Sequence, residues 1–169
     1  MTTLDLEALR ERHPLVPEEH AADLALHASV AFAAAHHAPG VDLRTEVADA
    51  PHTVTLTWRA RLPTDSLDAN RVTELGAEAV ALALAHEIRG WTVRRRMQKF
   101  EHADWLVADA QGERFAFEVS GTVNDSLTAR VNEKLQQVSK CHEPQRAVCV
   151  VRFIEPRARL TDWDDDQGG

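Results

Sequence analysis

The chain has 169 residues, 44% of them apolar and 27% charged, which suits one domain around a single core. Its formal net charge is −8. No apolar run approaches the roughly 20 residues needed to cross a bilayer, and the acidic start from Met1 to Arg12 lacks the basic opening and apolar middle of a signal peptide, so a cytoplasmic protein with no membrane partner is expected.

The elements follow in order. Residues 17–37 open with a proline and two glutamates, are rich in alanine, and stop at Pro39-Gly40, which predicts a helix. "VDLRTEVADA" and "HTVTLTWRARL" alternate and are separated by Ala50-Pro51, which predicts a β-hairpin. A second helix is predicted over 68–88, with polar capping candidates before it and Gly90 after it. Strands are predicted at "WTVRRRMQKF", at "DWLVADA" and, after a Gln111-Gly112 turn, at "ERFAFEVS". A third helix follows, capped by Asp125 or Ser126, and then a buried strand over 146–154. The acidic end, 161–169, reads as a disordered tail.

The predicted fold class is α/β, a mixed sheet flanked by helices. The strand–helix–strand passage near the end fits a right-handed crossover between parallel strands. Residues 1–66 form an N-terminal extension of helix and hairpin, and 67–160 form the core.

Charge is uneven along the chain. Residues 1–88 hold 6 Lys and Arg against 14 Asp and Glu, 89–160 hold 13 against 9, and 161–169 hold 0 against 4. A basic segment between acidic flanks keeps a nucleic-acid partner open. Cys141 and Cys149 sit in no metal or redox motif and read as reduced thiols.

The informative stretch is "RFAFEVSGT", residues 114–122. Phe115, Phe117 and Val119 alternate with Ala116, Glu118 and Ser120, so Glu118 lies on the face opposite the phenylalanines. The simplest reading points Glu118 into water from an edge strand. A second reading pairs it with Asp104, fourteen residues earlier at the start of the neighbouring strand. Two carboxylates converging at a sheet margin offer a divalent cation hard oxygen ligands, with room for waters and a phosphate.

On these residues the region 76–154 resembles the PD-(D/E)xK nuclease superfamily, the restriction-endonuclease-like proteins with an αβββαβ core. That likeness implies a metal-dependent DNA phosphodiesterase, with Mg2+ or Mn2+ held by Glu78 (or by its rival Glu74, one turn earlier), Asp104 and Glu118, and the Val119 carbonyl as a further ligand. The chain departs from the pattern at Ser120, where the family carries a lysine, and a hydroxyl does not replace an ammonium electrostatically. Some members take that lysine from the following helix. Here "RVNEKLQQVSK" offers Lys134, with Arg130 one turn before it and Gln137 three residues after. Catalytic roles then fall to Asp104, Glu118, Lys134, Gln137 and Glu78.

Either the site is intact with a relocated lysine, or it is dismantled and the chain is an inactive binding or assembly module of a larger complex. Arg94 and Arg96, expected on one face of a strand with Arg95 on the other, are candidates for holding backbone phosphates together with Arg130. They read equally well as a charged edge strand that discourages aggregation. The alanine-rich helix 17–37 is a candidate surface for a homodimer. His-x-x-x-His and Cys-x-x-Cys spacings, glycine-rich phosphate loops and nucleophile elbows are all missing from the sequence.

Overall fold

The computed structural model describes residues 1–61 and 66–164. Its strands are β1 (Thr2–Asp5), β2 (Val41–Val47), β3 (Ala50–Thr57), β4 (Thr92–Arg96), β5 (Trp105–Ala108), β6 (Arg114–Thr122), β7 (Arg146–Arg152) and β8 (Arg157–Asp162). The α-helices are α1 (Leu9–Arg12), α2 (Glu18–Ala34), α3 (Ala69–Arg89) and α4 (Leu127–Val138). All eight strands form one mixed sheet in the order β1-β3-β2-β8-β7-β6-β5-β4. The fold is therefore α/β, a mixed sheet flanked by helices, as expected at that level. The boundary drawn at residues 66 and 67 divides no sheet, because β2 pairs in parallel with β8.

Local chemistry explains most element ends. The Asp68 side chain accepts the Arg71 N–H at 2.9 Å, and Gly90 closes α3 in the left-handed region at φ 65°. Of the two caps considered for α4, it is the Ser126 hydroxyl that accepts, from the Ala129 N–H. α2 ends three residues before the expected position, and His36 then turns at φ 64°. The hairpin turns at Ala48 and Asp49, both at positive φ as a two-residue loop requires. Ala50-Pro51, the predicted break, lies inside β3, where Pro51 faces Glu46. β1 reaches only to Val54 on the far side, so that edge of Pro51 needs no donor.

Four elements escaped the sequence reading: β1, the short helical passage at 6–12, the 3-10 turn at Lys99–Glu101 that replaces the end of the predicted strand after β4, and β8. The last takes Thr161 and Asp162, assigned to the tail, into the sheet. Residues 165–169 of that expected tail lie outside the described residues.

The sheet separates two cores. On one face α2 and α3 pack over Phe32, Leu82, Phe117, Val119 and Cys149. On the other α4 packs Val131 and Val138 over Leu106, Ala116, Val148 and Val150. α2 buries Leu24, Ala28 and Phe32 inside the chain and crosses α3 so closely that a Cβ on Gly76 would lie 3.2 Å from the Ala28 Cα. The apolar side considered for a second copy is thus occupied internally. β6 and β7 run parallel with α4 as their crossover, as expected. Among the described residues no helix is long and apolar enough to cross a membrane.

Candidate functional site

The site forms where β5 leaves β6. β5 pairs with β6 only as far as Trp105 opposite Phe117, whereas β6 continues to Thr122 alongside β7. The N–H groups of Val119 and Gly121 would be left bare on the vacated side, and bare buried donors are costly. Two carboxylates cover them. Asp104 Oδ2 accepts the Val119 N–H at 2.8 Å, and Glu74 accepts the Gly121 N–H. α3 lies directly over this stretch: a Cβ on Gly121 would meet the Thr73 carbonyl oxygen at 2.2 Å. The glycine that ends "RFAFEVSG" is there because a helix backbone occupies the space of a side chain.

Glu118 does not point into water. β6 is an interior strand, and the face opposite Phe115 and Phe117 is roofed by α4, leaving Glu118 3% exposed. From α4, Lys134 Nζ donates to Glu118 Oε1 at 3.0 Å and to Gln137 Oε1 at 3.1 Å, while Gln137 Nε2 donates to the same Glu118 oxygen at 3.0 Å. The i, i+3 spacing places both side chains on one side of the helix. Glu118 Oε2 is buried with no hydrogen-bond partner. Burial first, and the neighbouring Asp104 charge second, raise the Glu118 pKa against the pull of Lys134, to about 8. Ser120, two residues on and on the same face, is 1% exposed, and its Oγ is also unpartnered.

The two helix carboxylates divide differently from the first expectation. Glu78 is gripped at two points by Arg96, at 2.6 and 3.0 Å. Burial raises its pKa, Arg96 opposes the rise and Asp104 adds to it. Arg96 also lies over the Trp105 ring at 4.6 Å, so both its charge and its plane are engaged. Glu74 is the helix carboxylate at the notch. The protein packed around it raises its pKa, with Lys134, Gly121 and Arg130 opposing and Asp104 reinforcing. Arg130 meets Glu133 at 3.6 Å.

Arg94 sits at a bulge in β4, which is an edge strand as one reading held. The bulge breaks the alternation, so Arg96 shares the side of Trp105 while Arg95 opposes Leu106 and pairs with Glu101. Arg94 and Arg96 line a cavity of about 610 Å3 with His20, Arg71 and Trp105.

The structure therefore brings together Asp104, Glu118, Lys134 and Gln137, adds Glu74, and couples Glu78 to Arg96. The only advance signal for Glu74 was its helical spacing, one turn before Glu78. Among the described residues no three acidic, histidine or cysteine side chains already form a metal cage. Both cysteines are buried free thiols. Compared with protein families, curated proteins and solved structures, the chain matches none.

Proposed function

We propose that this chain is a metal-dependent DNA phosphodiesterase of the PD-(D/E)xK kind, with Lys134 delivered from α4 in place of the strand lysine missing at Ser120. One observation carries this reading: the Lys134 ammonium and the Gln137 amide converge on Glu118 Oε1 at 3.0 Å each. A dismantled site has no need to bury a carboxylate that only a helix lysine then neutralises.

The donor set suits Mg2+ or Mn2+. Glu118 offers a buried oxygen without a partner, Asp104 stands beside it, and Glu74 is the carboxylate available from α3, since Glu78 is taken by Arg96. A divalent cation there supplies charge neutralisation at the phosphate and a water acidic enough to attack it. Glu118, Asp104 and Glu74 would hold such an ion, Lys134 would present its ammonium to the phosphoryl oxygens, and Gln137, bonded to both Lys134 and Glu118, keeps the two side chains in register. Cutting both strands of a duplex requires two such sites, hence a homodimer or a partner.

A second reading, an inactive nuclease-like subunit of a larger assembly, is favoured by the neutralisation of Glu78 by Arg96 and by the missing preformed cage among the described residues. Incubation with labelled single-stranded, duplex and branched DNA separates the two. The enzyme cuts in Mn2+ and not in chelator, and Glu118→Gln or Lys134→Ala lowers the rate by about 100-fold or more. Cleavage that survives both substitutions, or no cleavage of any substrate, removes the enzyme reading.

A further inference from the structure

α4 packs mainly on β7 and β6 on its face of the sheet, and a second charged feature lies at its start. Strand register sets Arg44 of β2 opposite Arg157 of β8, and Arg157 opposite Arg152 of β7. Leu43, Ala158 and Val151 point into the other core, so the three arginines share the α4 side. At strand spacings of about 4.8 Å the row is roughly 10 Å long.

Like charges directly opposite one another weaken a sheet, and no direct ion pair among the described residues relieves this row. Arg44, Arg152 and Arg157 make no side-chain hydrogen bond or ion pair, and Arg152 Nε is buried without a partner. The next row shows the usual remedy: Arg159 meets Glu46 at 3.8 Å and Asp49 at 3.3 Å. The amino end of α4, at Ser126 and Thr128, meets Arg152, Arg157 and Arg159 around a cavity of about 310 Å3 that Glu46 also lines, and Arg44 is next along the row beyond that lining. Helix-end N–H groups and uncompensated guanidinium groups call for the same guest, an anion with several acceptor oxygens.

Position says which anion. Thr122 lies beside Arg152 and Glu118 beside Val148, so the row is four residues downstream of the carboxylate site, and α4 runs between them from its start at the row to Lys134 at the site. That is about 13 Å, the length of about four nucleotides at 3.4 Å each. Resting on the phosphodiesterase reading above, the geometry points to the row Arg44–Arg157–Arg152 and the start of α4 as the seat of a backbone phosphate, on the DNA strand whose scissile phosphate lies over Glu118 and Lys134. The row fixes where along the strand the cut falls and contributes affinity rather than chemistry.

The test is binding of labelled DNA, followed by anisotropy in chelator so that nothing is cut, across a salt series. Arg157→Gln and Arg44→Gln each weaken binding about tenfold at 50 mM salt and lower the slope of log affinity against log salt by about 0.9, whereas Arg114→Gln changes neither. Without DNA, Arg157→Gln raises the melting temperature, because repulsion is relieved. With Mn2+, the arginine variants raise KM and leave kcat in place. Unchanged affinity and slope in Arg157→Gln, on DNA that the wild type cuts, overturn the row. Loss of binding in the variants when no DNA is ever cut removes the phosphodiesterase reading and keeps the row. Thermal protection of the wild type by inorganic phosphate, lost in Arg157→Gln while DNA affinity is unchanged, assigns the cavity to free phosphate and overturns the strand contact.

Discussion

Replacing Glu118 by glutamine should make the protein more stable and less functional, and the gain should grow with pH. A carboxyl whose pKa is higher in the fold than in the unfolded chain gives stability that is complete below the unfolded value and is lost as pH rises through the folded one. For Glu118 those values are 4.5 and about 8. At about 1.36 kcal/mol per pH unit the ceiling is about 5 kcal/mol by pH 9. Asp104 and Lys134 share in the titration, and glutamine gives up the ion pair with Lys134, so the expected net gain is about 2 kcal/mol at pH 9 and close to zero at pH 5. Glutamine keeps an acceptor for Lys134 Nζ and Gln137 Nε2, and its amide N–H donors take the place of the unpartnered Oε2, on the side of Asp104. Urea unfolding followed through the four tryptophans at pH 5 and pH 9 reads this directly. An equal effect at the two pH values would show that Glu118 ionises normally. Destabilisation at pH 9 would show that the ion pair outweighs the burial. Either result refutes the reasoning. DNA cleavage should be lost in the same variant, the pattern of a carboxylate kept for its chemistry and not for the fold.

Two further predictions concern the frame around the site. His13 is fully buried; its Nε2–H donates to the Leu82 carbonyl at 2.9 Å and its Nδ1 accepts the Val93 N–H at 3.1 Å, so it is neutral. Burial, with the His86 and Arg12 charges adding, lowers its pKa from 6.5 to about 4, so stability is complete above 6.5 and falls by about 3 kcal/mol as pH drops toward 4. His13→Gln should flatten that stretch of a pH–stability profile, and an unchanged slope would remove His13 as its source. Gly121→Ala must push the Thr73 carbonyl off β6, from 2.2 Å, and should destabilise by about 3 kcal/mol. Gly112→Ala, with nothing within 4 Å but at φ 84°, should cost about 1 kcal/mol. Equal melting temperatures for the two variants would contradict the packing of α3 on β6.

The sequence was legible wherever a local rule determined the outcome. α3 came within a residue at each end because Asp68 and Gly90 act on their own backbone neighbourhood, and β6 was readable from two-residue alternation. The misreadings are at places that long-range pairing decides. β1 has four residues and exists because β3 has an edge to offer it. Most of β8 carries no sequence signal of its own, and Ala158 and Leu160 become strand residues only where they meet the core. Glu118 looked solvated because a helix nineteen residues away in sequence, the one bearing Gln137, was not known to roof that face. Glu74 and Glu78 lie one turn apart, and only the tertiary position of Arg96 decides which of the two is neutralised.

On the phosphodiesterase reading proposed above, the serine at 120 and the lysine at 134 are one change. Ser120 is 1% exposed on the face that α4 covers. A lysine rooted there would have to bury its stem and its ammonium between β6 and the helix, and an unpaired buried charge is far too costly to keep. From α4 the same ammonium reaches Glu118 along the groove between the layers, with a 3.1 Å hydrogen bond to Gln137 setting its direction. On that reading, a fold that closes its crossover helix tightly onto the site strand brings the amine from the helix and leaves something small beneath it. On that argument Ser120→Lys, paired with Lys134→Ala, should unfold the protein before it restores any cleavage. Lys134→Arg should keep the contact with Glu118, because a guanidinium reaches from the same place.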